Sequence, residues 1–332
     1  MKMKFNNLTP NSELAIELTD AYLRVLSSGH YINGPEVEAL EQEWADYTGS
    51  QYCIGVSSGQ AALELLLRAY GIGYGDEVIV PSWTAVPTWK AVINVGAMVR
   101  PVDVDYDTML LQPESVKFNQ KTKAIIPVHL YGYRACASYL WAGTEVINDA
   151  CQSHGLKNLG NAAWSFYPTK NLGAYGDGGA ITTNNQDLAD RIREIRDSNR
   201  LDELQAAFLR VKLKGLDEVN KQRFDNADTY LRSLSTKCIR PKGPSWTPAY
   251  HQYVIRVKDR DALKAHLARK GIQTLIHYPI PPHRLLGYDY DLPIADRLSQ
   301  EVLSLPIDCS QDDVERVCEV INEYYQSNAR MD

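Results

Sequence analysis

The chain lacks several features that would have directed its reading elsewhere. None of its six cysteines (53, 136, 151, 238, 309 and 318) stands in a C-x-x-C pair. That excludes a zinc spacing and a disulfide frame, so no metal site is expected and the thiols read as reduced, in a cytoplasmic protein. No apolar run reaches membrane-spanning length, and the opening MKMKFNNLTPNSEL has no apolar core of a signal peptide. Basic runs are absent: 35 Lys and Arg stand against 41 Asp and Glu, a net charge of −6. Neither nucleic acid nor a membrane surface is therefore an expected partner. Internal repeats and low-complexity tracts are missing as well.

What is present is ordinary for a soluble globular protein, with 44% hydrophobic and 23% charged residues. A length of 332 residues exceeds one small core and suits two domains of unequal size. Residues 14–26 have the spacing of an amphipathic helix, and Gly34-Pro35 opens a second helix that Thr48-Gly49 closes. Short apolar strands are expected at 52–56, 77–80, 98–102, 124–128, 145–147, 163–166 and 180–183, with helices at 61–70 and 90–95. Strands alternating with helices imply crossover units and a mostly parallel sheet, and four-residue apolar runs fit strands buried on both faces. Residues 188–196 and 201–219 read as helices, the second linking to a strand at 250–257, a helix at 261–270, a strand at 273–277 and a closing helix at 312–325. The expected division is a large α/β domain over 1–219 and a small α+β domain over 220–332.

The stretch SFYPTKNLGAYGDGGAITT, residues 165–183, carries a lone lysine, Lys170, among turn residues and few charges. An ammonium held beside a partly desolvated site has a lowered pKa, which makes the amine a nucleophile and proton carrier; a solvated turn lysine is the plain alternative. In open parallel sheets ligands bind outside the carboxyl ends of the strands. There, Ser57-Ser58-Gly59-Gln60 opens a helix and offers backbone N–H groups to a phosphate, or is simply a cap. PSWTA sets Trp83 nearby, to stack on a flat ring or to fill the core. Asp149 ends an apolar strand and needs a cationic or hydrogen-bonding partner, unless it caps a helix. Ser165 offers a hydroxyl to a phosphate or to a neighbouring carbonyl. A phosphate cradle, a flat aromatic, a buried acid and a lysine on one sheet edge are what pyridoxal 5′-phosphate requires. GAYGDGG does not read as a dinucleotide loop, because it follows the lysine and precedes a strand.

SFYPTKNLGAYGDGGAI resembles the lysine motif of the DegT/DnrJ/EryC1/StrS sugar-nucleotide aminotransferases, within the aspartate aminotransferase fold type I. SSGQAAL, PSWTAVPT, IPVHLYG, NDACQSHG, NRLDELQAAFLRVKL and HYPIPPH resemble the same family, over nearly the whole chain. The resemblance implies a PLP-dependent transferase fold in which Lys170 carries the cofactor and Asp149 keeps its ring nitrogen protonated. Gln152 would contact the ring hydroxyl and Trp83 would stack on the ring, while Ser58, Gly59, Gln60 and Ser165 hold the phosphate. It implies a homodimer with the active site between subunits, where Asn199 (or Ser198) of the neighbour completes the phosphate site. L-glutamate would be the donor and a keto-sugar nucleotide the acceptor, for surface polysaccharide or glycoconjugate biosynthesis. HYPIPPH together with Tyr167 resembles members that aminate the 3-keto group of dTDP-linked 6-deoxyhexoses, with His277, Tyr278 and His283 on the substrate. A 4-keto acceptor and a non-catalytic regulatory protein of the same fold are the alternatives. Relatives that dehydrate sugars have a histidine where Lys170 stands. Tyr131 is expected in the core. The chain departs from the family at Gln60 (usually Thr) and Asn148 (usually an acid), and looks shorter over 133–143, 156–161 and 196–199.

Overall fold

The computed structural model describes residues 3–136, 143–242 and 249–328. Of the shortened segment 133–143, residues 137–142 lie outside the described residues. Two helices come first, α1 (Ser12–Ser28) and α2 (Pro35–Thr48). Asn11 caps α1 by accepting the Leu14 N–H at 2.8 Å, and Gly49 ends α2 in the left-handed conformation at φ 69°. No side chain of its own caps the start of α2. The buried Glu203 does so from a distance, accepting the N–H groups of Gly34, Glu36 and Val37 at 2.8, 2.8 and 3.1 Å.

The large α/β part follows as β1 (Tyr52–Val56), α3 (Gly59–Ala69), β2 (Glu77–Pro81), α4 (Val86–Asn94), β3 (Met98–Val102) and β4 (Thr122–Ile125). It continues with β5 (Glu145–Val146), β6 (Asn148–Asp149), β7 (Ala162–Ser165), β8 (Gly179–Thr183) and α5 (Gln186–Ile195). Strands β3, β2, β4 and β5 lie side by side and parallel, as do β6 and β7. Only Ile147 separates β5 from β6, and the N–H groups of Ile147 and Asp149 donate to the carbonyls of Ile125 and Pro127 at 3.0 and 2.9 Å. The two ladders therefore meet along one line of chain. Strand β8 is antiparallel to both β7 and β1. A parallel return needs a crossover, usually a helix, and the segment between β7 and β8 contains none. The sheet is thus mostly parallel, as its sequence pattern implies, and β8 is the exception.

The remainder is α6 (Glu203–Leu213), α7 (Leu216–Ser233), β9 (Tyr253–Arg256), α8 (Arg260–Arg269), α9 (Pro282–Leu285), α10 (Pro293–Glu301), β10 (Val302–Leu305) and α11 (Gln311–Asn328). Strands β9 and β10 pair antiparallel, and Tyr230, Ile255, Leu267, Leu303 and Ile321 form a second core around them. The helix expected over 201–219 is two helices, parted at Gly215, and α7 runs on through the expected domain boundary at 219/220. The strand expected over 273–277 does not form. Only Leu275 pairs, exchanging both backbone hydrogen bonds with Ser304, and the proline-rich stretch after Tyr278 cannot extend the ladder.

Two buried histidines make the large core sensitive to acid. His129 accepts the Ala135 N–H on Nδ1 at 3.0 Å and meets Asn148 Oδ1 through Nε2 at 3.1 Å. His154 accepts the Leu172 N–H on Nδ1 at 3.0 Å. Burial pushes their pKa values down, to about 4 for His129 and about 3 for His154, so both are neutral in the native state. The unfolded chain binds these protons near 6.5, so stability is complete above that pH and falls as the pH drops towards the folded values. Lowering the pH from 6.5 to 5 should cost about 2 kcal/mol per histidine, read as a shift in urea midpoint, and His129→Asn should recover part of its share.

Candidate active site

The carboxyl ends of β1, β2, β6 and β7 open on a cavity of about 500 Å³, closed on its far side by the chain before β9 and by His277 and Tyr278. Ser58 caps α3, its hydroxyl accepting the Ala61 N–H at 3.1 Å. Gly59 then lies against the neighbouring strand ends: a Cβ there would sit 2.5 Å from Cys151 Sγ and 2.8 Å from the Ser165 Cβ. Only glycine lets α3 enter so close to β7, which aims its first-turn N–H groups and positive dipole end into the cavity. Gln60 and Ser165 line the same space, the Gln60 amide also donating to Glu64 at 2.9 Å.

Asp149 is nearly enclosed, 4% exposed, where β6 ends. Its carboxylate accepts the Thr88 hydroxyl at 2.8 Å and the Cys151 N–H at 3.2 Å, and Thr88 is in turn 3.0 Å from Thr84. These bonds offset the desolvation of the acid and fix its direction. Lys170 faces the cavity from a turn, its N–H bonded to the Tyr167 carbonyl at 2.8 Å. Burial lowers the pKa of its ammonium, while the thiol of Cys151 and the carboxylate of Asp149 pull it back up. Gly173 is what closes the turn, since a Cβ there would lie 2.3 Å from the Pro168 carbonyl oxygen.

Beneath the turn runs a buried chain of amides and rings. Asn171 donates to Asn220 at 2.8 Å and meets His251 Nδ1 at 3.2 Å, and Asn220 donates to the His154 carbonyl at 2.7 Å. At the other wall, Gln152 accepts the Tyr131 N–H and donates to the Tyr278 hydroxyl, both at 2.8 Å. His277 is 2.9 Å from the Ser304 hydroxyl, and burial pushes its pKa down to about 4, leaving it neutral.

Ser58, Gly59, Gln60, Asp149, Gln152, Ser165, Tyr167, Lys170, His277 and Tyr278 thus come together on one cavity. Three others do not. Trp83 is core: it is 1% exposed, its indole N–H donates to the Tyr131 hydroxyl at 2.9 Å, and the next residues, Thr84 and Ala85, take the cavity wall instead. His283 is fully buried at the start of α9, 3.1 Å from Asp296, so its imidazole is used inside the fold. Asn199 lies between α5 and α6 with its carbonyl accepting the Ser57 N–H at 3.1 Å, outside this cavity; the role expected of it is towards a partner's. Sequence reading missed Thr88, Cys151, His251 and Gln252. Thr84, just before α4, and Thr88, in its first turn, are four positions apart, a spacing that could have been read.

Residues 13–322 match the DegT/DnrJ/EryC1/StrS aminotransferase family. The chain belongs to this family. It is 44% identical to the erythromycin biosynthesis sensory transduction protein EryC1 of Saccharopolyspora erythraea, over 89% of this chain and 91% of that one. It is 43% identical to the dTDP-3-amino-3,6-dideoxy-alpha-D-galactopyranose transaminase of Aneurinibacillus thermoaerophilus, over 93% and 95%. Among solved structures, DesV of S. venezuelae in complex with a ketimine intermediate superposes with a TM-score of 0.93 at 38% identity, covering 97% of this chain and 98% of that one.

An aminotransferase of this family uses pyridoxal phosphate, and the cavity fits that group. The glycine-floored helix start can take the phosphate, and Asp149 is the enclosed acid that a pyridinium nitrogen would meet. Lys170 is the amine within the same space. The ring-stacking place is not filled by Trp83, because the loop after β2 turns that indole inward. Gly59→Ala should retain the fold but weaken cofactor retention by about tenfold, measured by fluorescence titration of the stripped protein.

Proposed function

We propose that this aminotransferase moves the amino group of L-glutamate to the 3-keto carbon of a dTDP-linked 6-deoxyhexose, giving a dTDP-3-amino-3,6-dideoxyhexose for surface polysaccharide or glycoconjugate biosynthesis. The observation that carries the reading is the shared cavity, with Lys170 and Asp149 on one wall and His277 and Tyr278 on the other. When bound, pyridoxal phosphate supplies the electron sink that makes the donor's Cα–H bond acidic. Lys170 is the base that takes this proton and the acid that returns it, and burial, by lowering its pKa, favours the neutral amine that the first task needs. Asp149, fixed by Thr88 and the Cys151 N–H, holds a proton on the ring nitrogen by its negative charge. Neutral His277 and the Tyr278 phenol offer hydrogen bonds suited to sugar hydroxyls and the keto oxygen.

The enzyme acts as a homodimer in the cytoplasm, on this reading. Lys170 is the only lysine or arginine on the cavity among the described residues, too few for a sugar diphosphate, so a second copy would bring further cations. The face of α1 that exposes Ile16, Tyr22, Leu23 and Leu26 supports such a contact. No helix among the described residues is long and apolar enough to cross a membrane. The shortened segments leave a regulatory protein of the same fold as the alternative, and one relative is named for sensory transduction. The retained Lys170 and Asp149 favour turnover over passive binding.

Purified protein given L-glutamate should aminate dTDP-3-keto-6-deoxyhexose at least about tenfold faster than the 4-keto isomer. A preference for the 4-keto sugar would reverse the regiochemistry, and no turnover with either would favour the regulatory protein. Lys170→Ala should lose the borohydride-sensitive absorbance of the lysine-bound cofactor and about a thousandfold in turnover. A variant that kept its rate would remove Lys170 from the mechanism.

A further inference from the structure

Tyr131 lies outside the cavity and touches none of the groups that do chemistry, yet four residues of the cavity wall are fastened to it. Its N–H is held by Gln152, its carbonyl accepts the N–H groups of His251 and Gln252 at 3.0 and 3.4 Å, and its hydroxyl donates to the carbonyl of His277. The same hydroxyl accepts the Trp83 indole N–H, so both of its hydrogen-bonding capacities are used at 1% exposure. The backbone is also unusual, with Tyr131 at φ 59° and ψ 8°, a left-handed conformation rarely taken by a bulky residue. Strain of this kind persists where surrounding contacts over-determine it. Here the contacts are those that join the loop after β4 to the chain before β9 and to the segment ahead of α9.

We propose that Tyr131, backed by Trp83, is the positioning residue that sets His277 and Tyr278 over the cavity, and so governs how the acceptor is held. This rests on the reading that the acceptor binds between Lys170 and the His277-Tyr278 wall. Two linkages converge on that wall. The phenol of Tyr131 holds the His277 carbonyl, and Gln152, whose oxygen is fixed by the Tyr131 N–H, presents its amide to the Tyr278 hydroxyl. A phenylalanine at 131 would keep the ring volume and the main-chain bonds. It would leave the His277 carbonyl and the Trp83 N–H without partners in a buried setting, so the His277 side of the wall would lose its anchor while the Lys170 side stays intact.

Tyr131→Phe tests this. The variant should keep the lysine-bound cofactor spectrum and the half-reaction with L-glutamate, while KM for the keto-sugar nucleotide rises by about tenfold and kcat changes less than threefold. Hydrogen exchange should accelerate by about tenfold over residues 274–280 and stay unchanged over β1 to β4. Exchange is read without any acceptor, so it decides the matter even if no sugar nucleotide is turned over, an outcome that would count against the acceptor reading instead. If Tyr131→Phe fails to fold, Trp83→Phe, which leaves the phenol in place, should show the same split at smaller size. Unchanged exchange over 274–280 together with an unchanged acceptor KM, or a loss in kcat alone, would overturn the proposal.

Discussion

The buried amide net under the Lys170 turn is the interaction on which the site depends. A turn that enters a desolvated cavity carries backbone and side-chain polar groups that cannot be left unpaired. Here the Leu172 N–H goes to His154, Asn171 to Asn220, and Asn220 to the His154 carbonyl, while Arg223 holds the carbonyl of His251 at 3.1 Å and reaches Asp308 at 3.3 Å. These bonds join the Lys170 turn, the segment between β6 and β7, α7 and the chain before β9 around one point. With its neighbours fixed in this way, the ammonium of Lys170 faces the cavity, close to Asp149 and Cys151, which raise the pKa that burial lowers.

The sheet explains why the other groups arrive there. Parallel strands with helical crossovers put every strand-to-helix loop on the same edge. The start of α3, the start of α4 and the end of β6 accordingly bring Ser58-Gly59, Thr88 and Asp149 to one rim. The antiparallel β8 is entered at that rim from the Lys170 turn, with Asp177 and Gly178 on the cavity just before it, and it closes the sheet between β7 and β1. The far wall comes from the chain before β9 and the segment ahead of α9, and Tyr131 is one point where both are bonded to the large α/β part.

Much of this was legible in the residues. The strands at 52–56 and 98–102, and the ends of α2 at Gly34-Pro35 and Thr48-Gly49, follow from apolar runs and from glycine and proline chemistry, which act locally. Asp149 and Ser58-Gly59 stood out because each sits where an apolar strand stops, and Lys170 because it is a lone charge among turn residues; a polar group in such a place must be partnered. The break at Gly215 and the missing strand at 273–277 were not legible. Periodicity does not distinguish one long helix from two stacked in line, and an apolar run pairs as a strand only if a free edge meets it.

What the sequence determined by itself is the kind of chemistry and the parts it uses: a lysine, an acid and a glycine-opened helix at the ends of parallel strands, in the order of one aminotransferase family. Those are short-range facts, set by residue type and by what an adjacent strand or helix can tolerate. Only the tertiary structure decided which way the indole and imidazole side chains face. Trp83 and His283 are compatible with a ligand site when viewed along the chain, yet the fold turns both inward: the Trp83 indole donates to the distant Tyr131 hydroxyl, and the His283 ring is fully buried beside the Asp296 carboxylate. Burying an indole N–H requires a partner, and for Trp83 the partner inside the fold took precedence over the cavity.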